Sequence, residues 1–161
     1  MAVDHFLKIE PIKGESQDHK HKNEIDILSW SWSAQQSGKG SYGAGGGAGK
    51  VSVGDLHFTH YVDKASPDLF FACCNGKHFQ KAVLTCRKAG EHPVEYLKIN
   101  MEQVLVTSVN FGGSQGDDRT MENVTLNFAK IKFEYTEQKP DGSAGPSTPK
   151  GWDIAANKEH N

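Results

Sequence analysis

Apolar and polar positions alternate along most of the chain, and only one stretch departs from the period of two. Phe6, Leu7 and Ile9 open a short strand near the start. Ile25 and Ile27 then alternate in one phase and Leu28, Trp30 and Trp32 in the other. The segment SWSWS therefore sends its tryptophans to one face and Ser29, Ser31 and Ser33 to the opposite one. Val51 and Val53 alternate, and Leu56 and Phe58 resume out of phase after Gly54, the pattern of a strand with a bulge. Further alternating runs follow at Ala82–Cys86, Leu97–Met101, Leu105–Phe111 and Val124–Phe128, and a last one, Ile131–Tyr135, continues past a bend at Ala129 and Lys130.

The departure lies at residues 66–75, where the spacing predicts one α-helix. Ser66 is its expected cap, Pro67 suits the first position because its missing N–H has no partner there anyway, and Asp68 complements the positive helix end. Gly76 supplies the stop. Leu69, Phe70, Ala72 and Cys73 form the expected apolar stripe. Residues 14–23 and 139–151 read as polar or Pro/Gly-rich surface loops, the second followed by a final short strand at Trp152 and Ile154. Residues 38–49, GKGSYGAGGGAG, hold seven glycines and too few apolar side chains to pack a core, so they form a long loop or arm. The expected fold is mainly β, a two-sheet antiparallel barrel or sandwich with one helix, in a single domain over 1–161.

Composition narrows the partners. Lys+Arg number 18 against 20 Asp+Glu, a net charge of −2, so no basic field is available for nucleic acid or an anionic membrane. No run approaches the ~20 apolar residues of a membrane-spanning helix, and MAVDHFLKIE has no signal-peptide pattern. Three cysteines, two of them adjacent, make no disulfide framework, which fits folding in a reducing cytoplasm.

Candidate chemistry is thin. AGGGAGKV nearly reproduces a phosphate-binding loop, but Val51 stands where a metal-reaching hydroxyl is needed, and a strand pattern follows instead of a helix. His57 and His60 point to opposite faces of their strand, and His19 and His21 lie among lysines, so neither pair chelates a metal. Cys73 and Cys86 read as small core residues and Cys74 as the exposed thiol. Asp117 and Asp118, flanked by glycine and Arg119, read as solvated turn residues. No catalytic residue, cofactor or metal is expected.

The block KVSVGDLHFTHYVDKASPDLFFACCNGKHFQKAVLTCRKAG resembles the centre of the hemolysin-coregulated protein family, Hcp, of bacterial type VI secretion systems. MAVDHFLKIEPIKGES, HKNEIDILSWSWSAQQSG, EYLKINMEQVLVTSV with GGSQGDD, ENVTLNFAKIKFEY and GWDIAANK resemble it too, in the same order and over essentially the whole chain. Gly54 and His60 depart from the family pattern, where a longer polar side chain and a lysine are expected.

The resemblance implies a two-sheet β-barrel with one helix, a homohexameric ring, and rings stacked into a hollow tube driven out by contractile sheath proteins. It also implies a VgrG-type spike at the tip, small effector proteins held in the lumen, and export without a signal peptide. Under it Ser29, Ser31 and Ser33 become candidates for the lumen, against an ordinary solvated outer face. Gly38, Lys39, Tyr42, Gly45, Gly46, Gly47 and Lys50 become a contact loop for a neighbouring subunit or ring, against a plain surface loop. The alternative function is a monomeric β-sandwich that binds a protein or ligand.

Overall fold

One strand of 19 residues organises the molecule. The computed structural model describes residues 2–38 and 49–161. Its elements are β1 (Val3–Lys8), β2 (Ile25–Asp26), β3 (Ser29–Ser31), β4 (Ala34–Gln35), β5 (Ser52–Val53), β6 (Leu56–Tyr61), α1 (Ser66–Asn75) and β7 (His78–Lys88). β8 (Val94–Gly112), β9 (Met121–Asn127), β10 (Lys130–Gln138), β11 (Ala144–Asp153) and β12 (Lys158–Glu159) complete the order. The first half of β8 lies between β7 and β10, and its second half pairs with β9. The core face changes phase between them: Leu97, Ile99 and Met101 point inward, then Val104 and Val106, on either side of Gln103 with φ of 54°. A second irregularity between Val106 and Ser108 turns the strand again. The run predicted at Leu105, Thr107, Val109 and Phe111 is thus corrected, since Thr107 and Phe111 are exposed.

The fold is mainly β and its sheets are antiparallel, as expected. One wall runs β12-β11-β10-β8-β7-β1-β2, and the other is formed by β3, β6, β9 and the end of β8. At the corner opposite β8 the ladder is interrupted. There Ile27 N–H donates to His5 O of one wall at 2.9 Å and Leu28 N–H to Thr59 O of the other at 2.8 Å. Two single bonds carry the chain from wall to wall where β2 ends and β3 begins.

Several local expectations are corrected. Val51 to Phe58 is not one bulged strand: β5 pairs with β4 in a two-stranded sheet, whereas β6 belongs to the barrel wall. Gly54 makes that exit, its N–H donating to Ser33 O at 2.8 Å where a Cβ would sit 3.1 Å from the same oxygen. The bend expected at Ala129 is present: β9 and β10 both run along β8 on either side of Phe128–Ala129, and only their second neighbour changes, from β6 to β11. Residues 144–151, predicted as loop, belong to β11. Prolines suit an edge strand because the missing N–H costs no ladder bond on the open side.

Helix α1 spans the predicted residues and ends at Gly76 with φ of 68°, its N–H donating to Ala72 O. Its start differs. The cap position is Ala65, and Ser66 turns back to accept from Asp63 N–H while Asp63 Oδ1 accepts from Ala65 N–H at 2.8 Å. Leu69 and Ala72 are buried, but Phe70 is exposed, a correction to the expected stripe, and Phe71 is exposed beside it.

The core contains a buried histidine–carboxyl pair. On the inner face Leu56, Phe58 and His60 of β6 stand opposite Leu126, Val124 and Glu122 of β9. His60 Nε2 lies 2.7 Å from Glu122 Oε1, both side chains fully buried. Asp63 Oδ2 is 3.8 Å from the other ring nitrogen, and burial raises the Asp63 carboxyl above its ordinary range. This pair ties the turn before α1 to the barrel wall.

Residues 14–23 are polar yet not a free surface loop. They cover the outer face of β1 and β7, where Phe6, Thr85 and Arg87 are buried. Arg87 grips Asp18 with both guanidinium arms, at 2.9 and 2.6 Å, donates to Asp4 at 3.0 Å and lies over the Phe6 ring. His21 stacks on Phe6 and sets its ring nitrogens 2.9 Å from Glu24 Oε2 and 2.7 Å from Glu95 Oε1.

Two consequences follow for stability. His60→Leu strands a buried carboxylate and is expected to cost about 3–5 kcal/mol in urea unfolding, whereas His60→Leu with Glu122→Met recovers most of it. The hydrogen bonds from Arg87 hold the Asp18 carboxyl well below the usual carboxylate range. A depressed carboxyl stabilises the fold above its unfolded value and loses that contribution as pH falls through the folded one. Asp18→Asn therefore lowers Tm at pH 7, and the gap from the parent closes progressively below about pH 4.

Candidate functional site

Parity on the second wall produces a continuous polar face. Because Phe58, Val124 and Leu126 point into the core, their neighbours on β6 and β9 point out. Register aligns these residues in two rungs across four strands. One runs Ser29, Thr59, Asn123, Asn110, and the other Ser31, His57, Thr125, Ser108. Every member carries a hydroxyl, a carboxamide or an imidazole, and none a carboxylate, ammonium or guanidinium.

Adjacent members are linked within the rungs. Thr59 Oγ1 donates to Asn123 Oδ1 at 2.5 Å, which leaves the Asn123 NH2 group as a donor to whatever meets the face. His57 Nδ1 lies 3.0 Å from Thr125 Oγ1. A shallow trough of about 320 Å³ runs over both rungs. A second, of about 560 Å³, extends from Ser29 and Asn110 towards Asp117 and Arg119. Ser114 Oγ donates to Asp117 Oδ2 at 2.9 Å, and the Arg119 guanidinium lies 3.9 Å over the Tyr61 ring. The arrangement offers hydrogen bonds of both senses over a broad, shallow area, and no residue on it is paired as nucleophile and base.

Of the predicted site residues, Ser29 and Ser31 are exposed on β3 and belong to this face. Ser33 lies beyond the strand end, at the turn that receives Gly54, and joins neither rung. Gly38 and Lys50 flank the arm and are exposed, while Lys39, Tyr42, Gly45, Gly46 and Gly47 lie outside the described residues. The sequence reading missed His57, Thr59, Asn123, Thr125, Ser108 and Asn110 as members of one surface. Alternation on β6 and β9 carried the signal for the first four, but the two irregularities in β8 hid Ser108 and Asn110.

A second cavity, of about 610 Å³, lies between the β4–β5 hairpin and the β10–β11 pair. Trp32, Val53, Ile131, Phe133 and Trp152 make it apolar, with Gln36 and Gly49 at its edge. Neither indole N–H, of Trp32 or of Trp152, has a hydrogen-bond partner among the described residues. The cysteines sit apart from all three cavities. Burial pushes the Cys86 thiol up to about 11, against His5 Nδ1 at 3.1 Å, and Cys74 is exposed on the helix. Among the described residues no three His, Cys, Asp or Glu side chains converge as a metal site.

Comparison with known proteins places this geometry. The family model described as "Type VI secretion system effector, Hcp" matches residues 6–135. The protein hcp1 of Pseudomonas aeruginosa is 55% identical over 159 residues, 98% of each chain. A crystal structure of Hcp1 from Salmonella typhimurium superposes with a TM-score of 0.82 at 42% identity, covering 99% of this chain and 100% of that one. A structure of a type six secretion system protein reaches a TM-score of 0.93 at 29% identity, with the same coverage.

Proposed function

The chain belongs to the Hcp family of type VI secretion system proteins, and from that premise we propose that it is a structural tube component and not an enzyme. In this reading residues 1–161 act as one domain, six copies close into a ring, rings stack into a hollow tube, and small effector proteins ride in the lumen. The tube carries a VgrG-type spike, is driven by contractile sheath proteins and leaves the cytoplasm through the secretion system without a signal peptide.

The observation that carries the reading is the pair of uncharged rungs. A surface that must hold different cargoes and then release them needs adaptable hydrogen bonding without strong fixed charge, and Ser29, Ser31 and their neighbours supply it. Ser33, at the margin of this face, belongs to the lumen in the same proposal. Exposed apolar surface elsewhere supports contact between copies: Phe70 and Phe71 are 51% and 64% exposed on α1. The arm bounded by Gly38 and Lys50, including Lys39, Tyr42, Gly45, Gly46 and Gly47, is proposed as the contact to a neighbouring subunit or ring. Head-to-tail contacts of this kind form a ring when their rotation closes. A monomeric binding module is the second reading, favoured by the fact that both polar troughs are complete within one chain.

Native mass and one substitution test the proposal. The purified chain is expected at a mass near six subunits, and a clean monomer selects the binding module instead. Ser31→Gln, which fills the trough with a longer side chain, is expected to reduce retention of a co-expressed small effector several-fold while the ring mass is unchanged. Undiminished effector retention would remove the rungs from the lumen.

A further inference from the structure

Two apolar features of the surface lie on opposite flanks of β8. On the β7–β1 flank α1 packs on β8 beside Pro11, Ile12 and Phe79 and turns Phe71 outward, 64% exposed. On the β10–β11 flank the cavity of about 610 Å³ takes Trp32, Val53, Phe133 and Trp152 as its walls. Its two indole N–H groups have no partner among the described residues, so the single chain does not satisfy the cavity's own wall.

The two features match in shape and in charge. Neighbouring residues of a helix diverge by about 100°, so Phe70 and Phe71 do not enter one pocket together. Phe71 shares its side of the helix with Asp68, three residues before it, and both line one trough. Lys150 stands at the rim of the cavity, opposite Phe133 across the β10–β11 register. Asp68 and Lys150 are both exposed, and the lysine and arginine ion pairs of the described residues involve neither. An aromatic ring beside a free carboxylate thus faces outward on one flank, and an aromatic pocket beside a free ammonium opens on the other.

We propose that Phe71 of one copy enters the Trp32–Phe133–Trp152 cavity of the next, with Asp68 set against that copy's Lys150. The inference rests on the reading of the chain as a ring-forming protein, and it names the two surfaces that join its copies. Because they are different surfaces of the same chain, the contact is heterologous: each copy gives its helix to one neighbour and its cavity to the other, and the series ends when the rotation closes. The buried aromatic anchor carries most of the strength of such a contact, and the Asp–Lys pair at its rim sets orientation. Gln36 and Gly49 at the cavity's edge lie close to either end of residues 39–48, which makes that arm the competing occupant.

Photocrosslinking and native mass test the contact on the full chain. A benzophenone amino acid in place of Phe71 is expected to join two copies, with the adduct on a peptide carrying Phe133 or Trp152. An adduct on any other surface of the second copy, or none between copies, overturns the proposal. The same probe in place of Phe133 is expected to reach α1 of another copy; if it reaches only residues 39–48, the arm fills the cavity and the proposal falls. Phe71→Ser is expected to lose the six-subunit mass while keeping one cooperative unfolding transition, and an unchanged ring mass overturns the anchor. Should Phe71→Ser fail to fold, the crosslinks decide. Asp68→Lys and Lys150→Asp are each expected to raise the concentration for half-assembly about tenfold, and the double exchange to recover most of that loss. The two positions lie on different elements, so recovery reports their contact and not the change of charge at the helix end. No recovery overturns the pairing. A clean monomer of the parent chain defeats the ring reading itself, whereas a ring whose crosslinks lie elsewhere defeats only this contact.

Discussion

A strand that serves two sheets must rotate its inward face part-way along, and the rest of this fold depends on how β8 does so. Gln103 takes a positive φ, so that Ile99 and Val106 both reach the core although they are an odd number of residues apart, and the register slips again beyond Val106. Without those irregularities the outward side of the second half would carry Val104 and Val106 into water. With them, Ser108 and Asn110 complete the rungs begun by Ser31 and Ser29. The same local distortion shapes the hydrophobic interior and the polar exterior.

Polar residues tie the walls as well as apolar ones. His60 and Glu122 occupy the end of an otherwise aliphatic and aromatic ladder, and Arg87 with Asp18 closes a segment over a face that strand alternation alone would leave wet. Their contribution is specificity of placement. An isolated buried charge is costly, so each pair has one arrangement that satisfies it, and that arrangement positions the turn before α1 and the segment over β1.

Much of this architecture is legible in the linear order of residues, and the misreadings have physical causes. The helix, its Gly76 stop and the cores of β6, β7 and β9 follow from period and turn chemistry within a few neighbours. Ala129 is a bend along β8, as its phase change implies, but at Gly54 the chain changes partner, and partner choice is non-local. Residues 144–151 look like loop because proline forbids a central strand, and only the neighbouring β10 reveals that they lie at an edge. Ser66 matches a cap by type, yet the cap position falls on Ala65 and no side chain caps the helix, because the Ser66 hydroxyl is turned back to Asp63 N–H. For the site, alternation gave the outward direction of Ser29 and Ser31, while the rungs needed registers that no single segment encodes. The glycine-rich arm expected over residues 38–49 lies outside the described residues except for Gly38 and Gly49.

The proline-bearing edge of β11 has a consequence for aggregation. An open β-edge is a ready template for a strand of another chain. Gly151 turns its carbonyl to the outer side, where it accepts from His160 N–H, and two residues earlier Pro149 has no amide to offer on that same side, which β12 covers only at Trp152 and Asp153. That silent margin works against fibrillar side-growth.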